Sequence, residues 1–199
     1  MINSYPIVET FHSLQGEGYW SGVNAFFIRL AGCDVHCPWC DQKESWSQHN
    51  HPHLSCQLLT QQVAETKPKI VIITGGEPLM HNLEPLTTEL ARIGIPIHLE
   101  TSGAYPLTGN FDWITFSPKP YKLPHQSIYP EVKELKVVIA TPEDLEWAQL
   151  QSEKVPPTAI KYLQPEWQSK KSFKIVYNYV LKNPQWRVSL QTHKYIGVR

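Results

Sequence analysis

Cys33, Cys37 and Cys40 fall within eight residues, in Gly32-Cys33-Asp34-Val35-His36-Cys37-Pro38-Trp39-Cys40-Asp41. A short irregular loop with the spacing CxxxCxxC can turn three thiolates toward one centre. Three thiolates fit three corners of a cubane iron–sulfur cluster, whereas most such clusters take four cysteines. The fourth iron then stays open to a small molecule carrying an amino nitrogen and a carboxylate. A structural zinc site of three cysteines and one histidine satisfies the same spacing, and His36, His49, His51 or His53 can each supply the histidine. Zinc sites more often pair two CxxC or CxxH hooks, and no second hook is evident. Cys56 stands apart and reads as a small apolar residue in a helix. Three clustered thiols, rather than a spread disulfide framework, fit a reducing compartment.

Positioning such a centre requires a scaffold, and apolar runs alternate with helical patterns along the chain. Residues 25–30, 69–74, 96–100, 113–117, 134–139, 159–163 and 187–191 read as strands. Ser55 looks like the cap of a helix over 56–66, and Asn82 can cap a helix carrying Leu83, Leu86, Leu90 and Ile93 that stops at Gly94. Thr141-Pro142-Glu143-Asp144 is a strong helix start, and 169–182 is a further helix. The polar, histidine-rich stretch 47–53 reads as a surface loop. Strands alternating with helices indicate a parallel α/β sheet. Six or seven strands with about four helices are too few for an eight-fold barrel, so a partial, open β/α barrel in a single domain is expected. Active sites of such folds form at the C-terminal ends of strands. That rule singles out Cys33 to Cys40, Gly75-Gly76-Glu77-Pro78, Glu100 to Gly103, Ser117 to Lys119, Gln164-Pro165 and Gln191 to Lys194.

Composition bounds the function classes. The 199 residues correspond to one domain at roughly 150 residues per domain. Lys+Arg and Asp+Glu are both 18, so there is no global pull toward nucleic acid or an anionic membrane. A local basic pocket for an anionic substrate needs only two or three side chains. No apolar run approaches the roughly 18 residues that span a bilayer. The start, Met1-Ile2-Asn3-Ser4-Tyr5-Pro6, has no basic region followed by an apolar one, so the expected location is the cytoplasm.

CxxxCxxC after a first strand, with Gly75-Gly76-Glu77-Pro78 after the next, resembles the radical S-adenosylmethionine superfamily. Phe11-His12-Ser13-Leu14-Gln15-Gly16-Glu17-Gly18, Phe27-Ile28-Arg29-Leu30, Glu100-Thr101-Ser102-Gly103, Ser117-Pro118-Lys119 and Gln191-Thr192-His193-Lys194-Tyr195 narrow the resemblance to the 7-carboxy-7-deazaguanine synthases. It runs from about residue 5 to the C-terminus. It implies conversion of 6-carboxy-5,6,7,8-tetrahydropterin to 7-carboxy-7-deazaguanine with loss of ammonia. The implied cofactors are a 4Fe–4S cluster and S-adenosylmethionine, which together generate a 5′-deoxyadenosyl radical that takes hydrogen from C6 of the substrate. By the resemblance Cys33, Cys37 and Cys40 hold the cluster. Trp39, Cys40, Asp41, Gly76, Glu77, Gly103, Ser117, Pro118, Lys119 and Gln164 lie along S-adenosylmethionine. Leu14, Gln15, Gly16, Glu17, Arg29, Thr101, His193 and the terminal Arg199 face the pterin, with about 1–24 forming an N-terminal substrate-binding extension. A homodimer and a flavodoxin- or ferredoxin-type electron donor are also implied.

The same residues suit these roles chemically. Arg29 is a bidentate fork on a strand, fitted to a carboxylate; a salt-bridged arginine is the alternative. Glu17 and Gln15 can read a donor and acceptor edge, although Gln-Gly-Glu-Gly also makes an ordinary turn. Lys119 can pair with a carboxylate, and His193 can equally be a core histidine. One position departs from the family pattern. The third cysteine is usually followed by Asp-Thr, whose threonine contributes to a magnesium site, and here Gln42 follows Asp41. Magnesium is therefore in doubt while the reaction class is not. Two rivals remain at this level, a glycyl-radical activase, which shares CxxxCxxC but has no need of LQGEG or QTHKY, and a zinc-binding module.

Overall fold

A computed structural model describes residues 4–198. Ile70 to Thr74 form a continuous apolar run, as a strand covered on both faces requires, and they build β4 (Ile70–Gly75) at the centre of the molecule. Around it stand β1 (Ser4–Leu14), β2 (Asn24–Leu30), β3 (His53–Ser55), β5 (Ile97–Thr101), β6 (Trp113–Phe116), β7 (Glu134–Ile139), β8 (Ile160–Pro165) and β9 (Trp186–Val188). They make one nine-stranded sheet in the order β3-β1-β2-β4-β5-β6-β7-β8-β9. From β2 to β9 every pairing is parallel, and β1 is antiparallel to both of its neighbours. The sheet does not close, which is the open barrel expected from the element count.

Helices α1 (Cys56–Thr66), α2 (Glu84–Ala91), α3 (Glu143–Ser152) and α4 (Lys170–Lys182) cover one face. Leu59, Val63, Leu83, Leu86 and Leu90 from this layer are fully buried against Ile28, Val71, Ile73 and Leu99 of the strands. Truncating one such leucine to alanine costs about 2–5 kcal/mol, so this layer holds the strand ends in register. The opposite face of the sheet carries a separate, smaller cluster of Ala25, Phe27, Ile70 and Ile72, with Phe11, Trp20 and Val23 against it.

Several local expectations change. The sequence pattern does not mark β1, because Pro6 interrupts it; proline is tolerated since the strand end pairs only briefly with the short edge strand β3. That edge strand begins at His53, so the histidine-rich stretch is a loop only as far as Pro52. Asn82 does accept from the Glu84 amide (3.1 Å), but α2 ends at Ala91. Its last turn tightens through Arg92 N–H to Glu89 and Ile93 N–H to Leu90, which leaves Ile93 beyond the helix. At α3 the N-cap is Pro142, with no side-chain cap bond, and Asp144 in the first turn accepts from the preceding amides of Ala140 and Thr141 (both 2.8 Å). The last strand stops at Val188 instead of 191. The Thr192 amide and hydroxyl both bond the Gly16 carbonyl (2.8 and 2.9 Å), which draws the chain off the sheet into α5 (Thr192–Ile196).

Candidate active site

The C-terminal ends of the parallel strands open on a cavity of about 530 Å³. The loop after β2 carries the three cysteines into it. Its backbone is held by the Gly32 amide on Ser45 O (2.7 Å), the Cys33 amide on Trp46 O (3.0 Å) and the Cys40 amide on Cys37 O (3.1 Å). All four cysteines are free thiols. Cys33, Cys37 and Cys40 line the cavity, whereas Cys56 is buried in the core. Burial pushes the Cys37 thiol up to about 11, partly countered by Lys119, so a bound metal must displace its proton. The His36 ring lies tilted against Trp46 (ring centres 4.6 Å apart) and His51 bonds the Glu44 carbonyl (3.1 Å). Neither lines the cavity, nor do His49 and His53. Among the described residues no three His, Cys, Asp or Glu side chains surround a single-ion position.

The glycines after β4 are dictated by this loop. Gly75 has φ +139°, and a Cβ on it would overlap the Leu30 backbone. A Cβ on Gly76 would run into the Gly32 carbonyl and the Cβ of Cys33. Two side-chain-free residues thus let the strand end press against the cysteine loop, and the Glu77 amide completes the contact on Gly32 O (2.8 Å). Glu77 itself is 1% exposed. It accepts from the Leu79 amide (3.0 Å), the Thr101 hydroxyl (2.5 Å), the Ser102 amide (2.8 Å) and the Ser102 hydroxyl. Its carboxylate therefore ties the ends of β4 and β5 together behind the wall. Gly103 lies there too, packed on Phe116 and Ile128, while the Pro118 carbonyl accepts from the Trp147 indole (3.3 Å). Glu77, Gly103 and Pro118 are thus not among the lining side chains, in contrast to Trp39, Cys40, Asp41, Gly76, Ser117, Lys119 and Gln164. Lys119 donates to the Ser117 carbonyl (2.5 Å) and hydroxyl (2.6 Å), with its ammonium 5.5 Å from the Trp39 ring centre.

Leu14, Gln15, Gly16, Glu17, Arg29, Thr101 and His193 line the same cavity; Arg199 lies outside the described residues. Arg29 Nε–H donates to Glu9 on β1 (2.9 Å), and its guanidinium lies 5.8 Å from the Phe11 ring centre. Gln15 donates to Glu100 (2.8 Å) and accepts from the Glu17 amide (3.1 Å). His193 packs directly on Gly16, where any Cβ would overlap its ring. Glu17 accepts from Lys136 and from Gln191 (2.9 Å). Burial opposes ionisation of Glu17, yet Lys136 and Gln191 outweigh it and hold the carboxyl at about 2. Burial likewise opposes the Lys136 charge, and Glu17, Glu100 and Glu134 overcome it, so the ammonium stays above its ordinary range.

Glu9 and Lys136 are not among the residues that the sequence singles out, whereas Glu100 is. A charged residue amid Glu134-Leu135-Lys136-Val137-Val138 is the signal, since only a strand facing a polar cavity tolerates one in a buried run. Glu134 is the companion: burial pushes its carboxyl up to about 7, against the opposing effects of Lys136 and the Tyr19 amide. The Gln42 amide oxygen, two residues after Cys40, is buried without a hydrogen-bond partner.

This geometry coincides with what known proteins share. The model of the radical SAM superfamily matches residues 27–135. The 7-carboxy-7-deazaguanine synthase of a Synechocystis strain is 60% identical over 98% of this chain and 94% of its own length. That of Escherichia coli K12 is 34% identical, over 98% and 99%. The crystal structure of QueE from Escherichia coli superposes with a TM-score of 0.85 at 32% identity, covering 96% of this chain and 95% of that one. A cysteine loop, a double-glycine strand end and near-complete coverage at such identity leave one assignment: the chain belongs to the radical SAM superfamily and, within it, to the 7-carboxy-7-deazaguanine synthase family.

Proposed function

We propose that this protein converts 6-carboxy-5,6,7,8-tetrahydropterin to 7-carboxy-7-deazaguanine with loss of ammonia, supplying queuosine and related 7-deazapurines. The observation that carries the reading is the convergence of Cys33, Cys37 and Cys40 with Arg29 and Glu17 on one cavity at the strand ends. Three free thiols on one loop, pressed by Gly76, fit a 4Fe–4S cluster with an open iron. When bound, the reduced cluster and S-adenosylmethionine supply a 5′-deoxyadenosyl radical, the chemistry that no side chain provides.

The chain's own part is to bind, orient and exclude water. Arg29 has its Nε–H engaged by Glu9, which turns the terminal nitrogens into a preset fork for the substrate carboxylate. Glu17, kept ionised by Lys136, is acceptor-only and suits the amino and ring N–H donors of a pterin. Lys119, beside Ser117 and Trp39, suits the carboxylate of the methionine moiety. Gln164 is fixed by the Ser189 hydroxyl (2.8 Å), which also accepts from the Gly18 amide (3.0 Å), so the two ligand regions share one hydrogen-bond chain. Lys194 bonds Asp41 (2.8 Å) and Gln191 (3.0 Å), drawing α5 over the cysteine loop. β1 and the 14–18 turn are assigned to an N-terminal substrate-binding extension. Among the described residues no helix is long and apolar enough to cross a membrane. A cytoplasmic homodimer reduced by a flavodoxin- or ferredoxin-type donor completes the reading.

The test is anaerobic incubation of iron-loaded, reduced protein with S-adenosylmethionine and the carboxypterin. One ammonia per deazapurine should appear without net consumption of S-adenosylmethionine. Loaded protein that cleaves S-adenosylmethionine but leaves the pterin unchanged would sink the assignment and favour a protein-radical activase.

Magnesium needs a separate trial. The unpartnered Gln42 amide oxygen is a hard ligand of the kind magnesium takes, at about 2.1 Å in octahedral geometry. Its stem is longer than that of threonine, so an ion held by it would sit elsewhere; alternatively the amide bonds the substrate carboxylate and replaces the ion. Turnover after chelation is expected to depend weakly on added magnesium in the parent and more strongly in Gln42→Thr. An equal, strong requirement in both would remove Gln42 from this role.

A further inference from the structure

Besides the Asp41–Lys194 contact, the cysteine loop has a side-chain attachment that none of the functional assignments uses. Asp34, directly after the first cysteine, accepts from the Tyr105 hydroxyl and from Lys122 Nζ, both at 2.5 Å. Lys122 also donates to the Tyr105 hydroxyl (2.8 Å), and its ammonium stands 4.1 Å from that ring's centre. The three side chains close a triangle. Their residues are 71, 88 and 17 positions apart, on three loops: after β2, after β5 and after β6.

Lys122 also closes a tight turn. It pairs by an antiparallel bridge with Lys119, across Pro120 and Tyr121. The turn grips the cysteine loop near the third cysteine as well: the Tyr121 ring meets Trp39 edge-on (6.4 Å), and Lys119 lies over the same indole (5.5 Å). One turn therefore touches the cysteine loop beside Cys33 through Lys122 and beside Cys40 through Lys119 and Tyr121. The same turn presents Lys119 and Ser117 to the cavity.

We propose that Asp34, Tyr105 and Lys122 form a clasp that positions the cysteine loop against the Ser117–Lys119 turn, fixing the cluster subsite relative to the S-adenosylmethionine subsite. An isolated exposed ion pair does little. This one is a three-membered network with a cation–π contact, and it spans loops that regular secondary structure does not hold. Such segments open locally at low free energy, so a tie of modest strength changes their order several-fold while global stability hardly moves. These are positioning residues, since none of the three lines the cavity.

The inference rests on the cofactor reading above, and its test separates the two. In metal-free full-length protein, amide exchange of residues 31–42 is compared among the parent, Lys122→Ala, Asp34→Asn, Tyr105→Phe and Lys122→Arg. Lys122→Ala and Asp34→Asn are expected to exchange about fivefold faster there. Tyr105→Phe, which keeps the ring, should exchange about twofold faster, and Lys122→Arg should stay within twofold of the parent. Melting temperatures and exchange in α2 should not change. After anaerobic loading, iron loss to a chelator should accelerate in the same order. The S-adenosylmethionine concentration that half-converts the cluster's paramagnetic signal should rise about fivefold in Lys122→Ala. A parent that takes up no iron counts against the cofactor reading alone. Exchange in Lys122→Ala and Asp34→Asn within twofold of the parent overturns the clasp, as does a defect in Lys122→Ala that Lys122→Arg does not relieve.

Discussion

Replacing Cys33, Cys37 or Cys40 with alanine is expected to leave a folded protein that holds no 4Fe–4S cluster and has no turnover. Cys56→Ala should keep both. The contrast follows from position. The first three thiols reach one cavity from a single loop, while Cys56 is buried in the helical layer beside Leu59 and Val63. Removing a cluster ligand takes away one of three anchors and leaves a second iron with no protein partner. Removing Cys56 deletes one small buried side chain, a loss of about 1–2 kcal/mol by the cost of burial. Iron and sulfide analysis after anaerobic reconstitution reads the outcome, with circular dichroism to show that each variant folds. A cluster retained by Cys37→Ala, or stoichiometric zinc without sulfide in the parent, would end the three-cysteine assignment.

What could be read from sequence was the part whose signal is local. CxxxCxxC and the double glycine declare themselves by spacing, and the buried runs of β4 and β7 by composition. The open barrel followed from counting strands against helices. What stayed hidden depends on residues far apart in sequence. Nothing local to Glu77 shows that Thr101 and Ser102, 24 and 25 positions away, donate to its carboxylate. Arg29 stands out as a cation in an apolar strand, but Glu9, with which it pairs, sits on a strand that Pro6 disguises. α5 owes its existence to the Gly16 carbonyl, 176 residues away. No periodicity within Gln191-Thr192-His193-Lys194-Tyr195 encodes that bond.

The second large effect is expected at Lys136, which local patterning did not single out. Lys136→Met preserves the length of the side chain and removes its charge. In the parent one ammonium serves Glu17 directly and offsets Glu100 and Glu134. Without it Glu17 retains Gln191 but loses the partner that outweighs burial, so its carboxyl must rise from about 2. A protonated carboxyl has an O–H to donate and fewer lone pairs to accept with, so it no longer matches the donor edge of a pterin. Breaking one half of a buried ion pair typically costs 3–5 kcal/mol, because the other half is left uncompensated. That cost falls on folding stability; toward the substrate, the lost hydrogen bonds to a charged acceptor are worth about 1.5–3 kcal/mol, so at 1.36 kcal/mol per tenfold kcat/KM for the carboxypterin should fall about ten- to a hundredfold. Reductive cleavage of S-adenosylmethionine should be retained to within several-fold, since Lys119 and the cysteine loop are unchanged. The pH dependence carries the sign. A carboxyl whose folded value is depressed contributes stability that is present above about 4.5 and lost as pH falls toward 2. The parent should therefore draw stability from this pair throughout the neutral range. In Lys136→Met that contribution disappears, and the acid limb of kcat/KM moves to higher pH. Lys136→Arg, which restores a cation, should recover part of the activity and return the acid limb toward the parent. A Lys136→Met enzyme with unchanged kcat/KM and an unmoved acid limb would show that Glu17 does not need its charge to read the substrate.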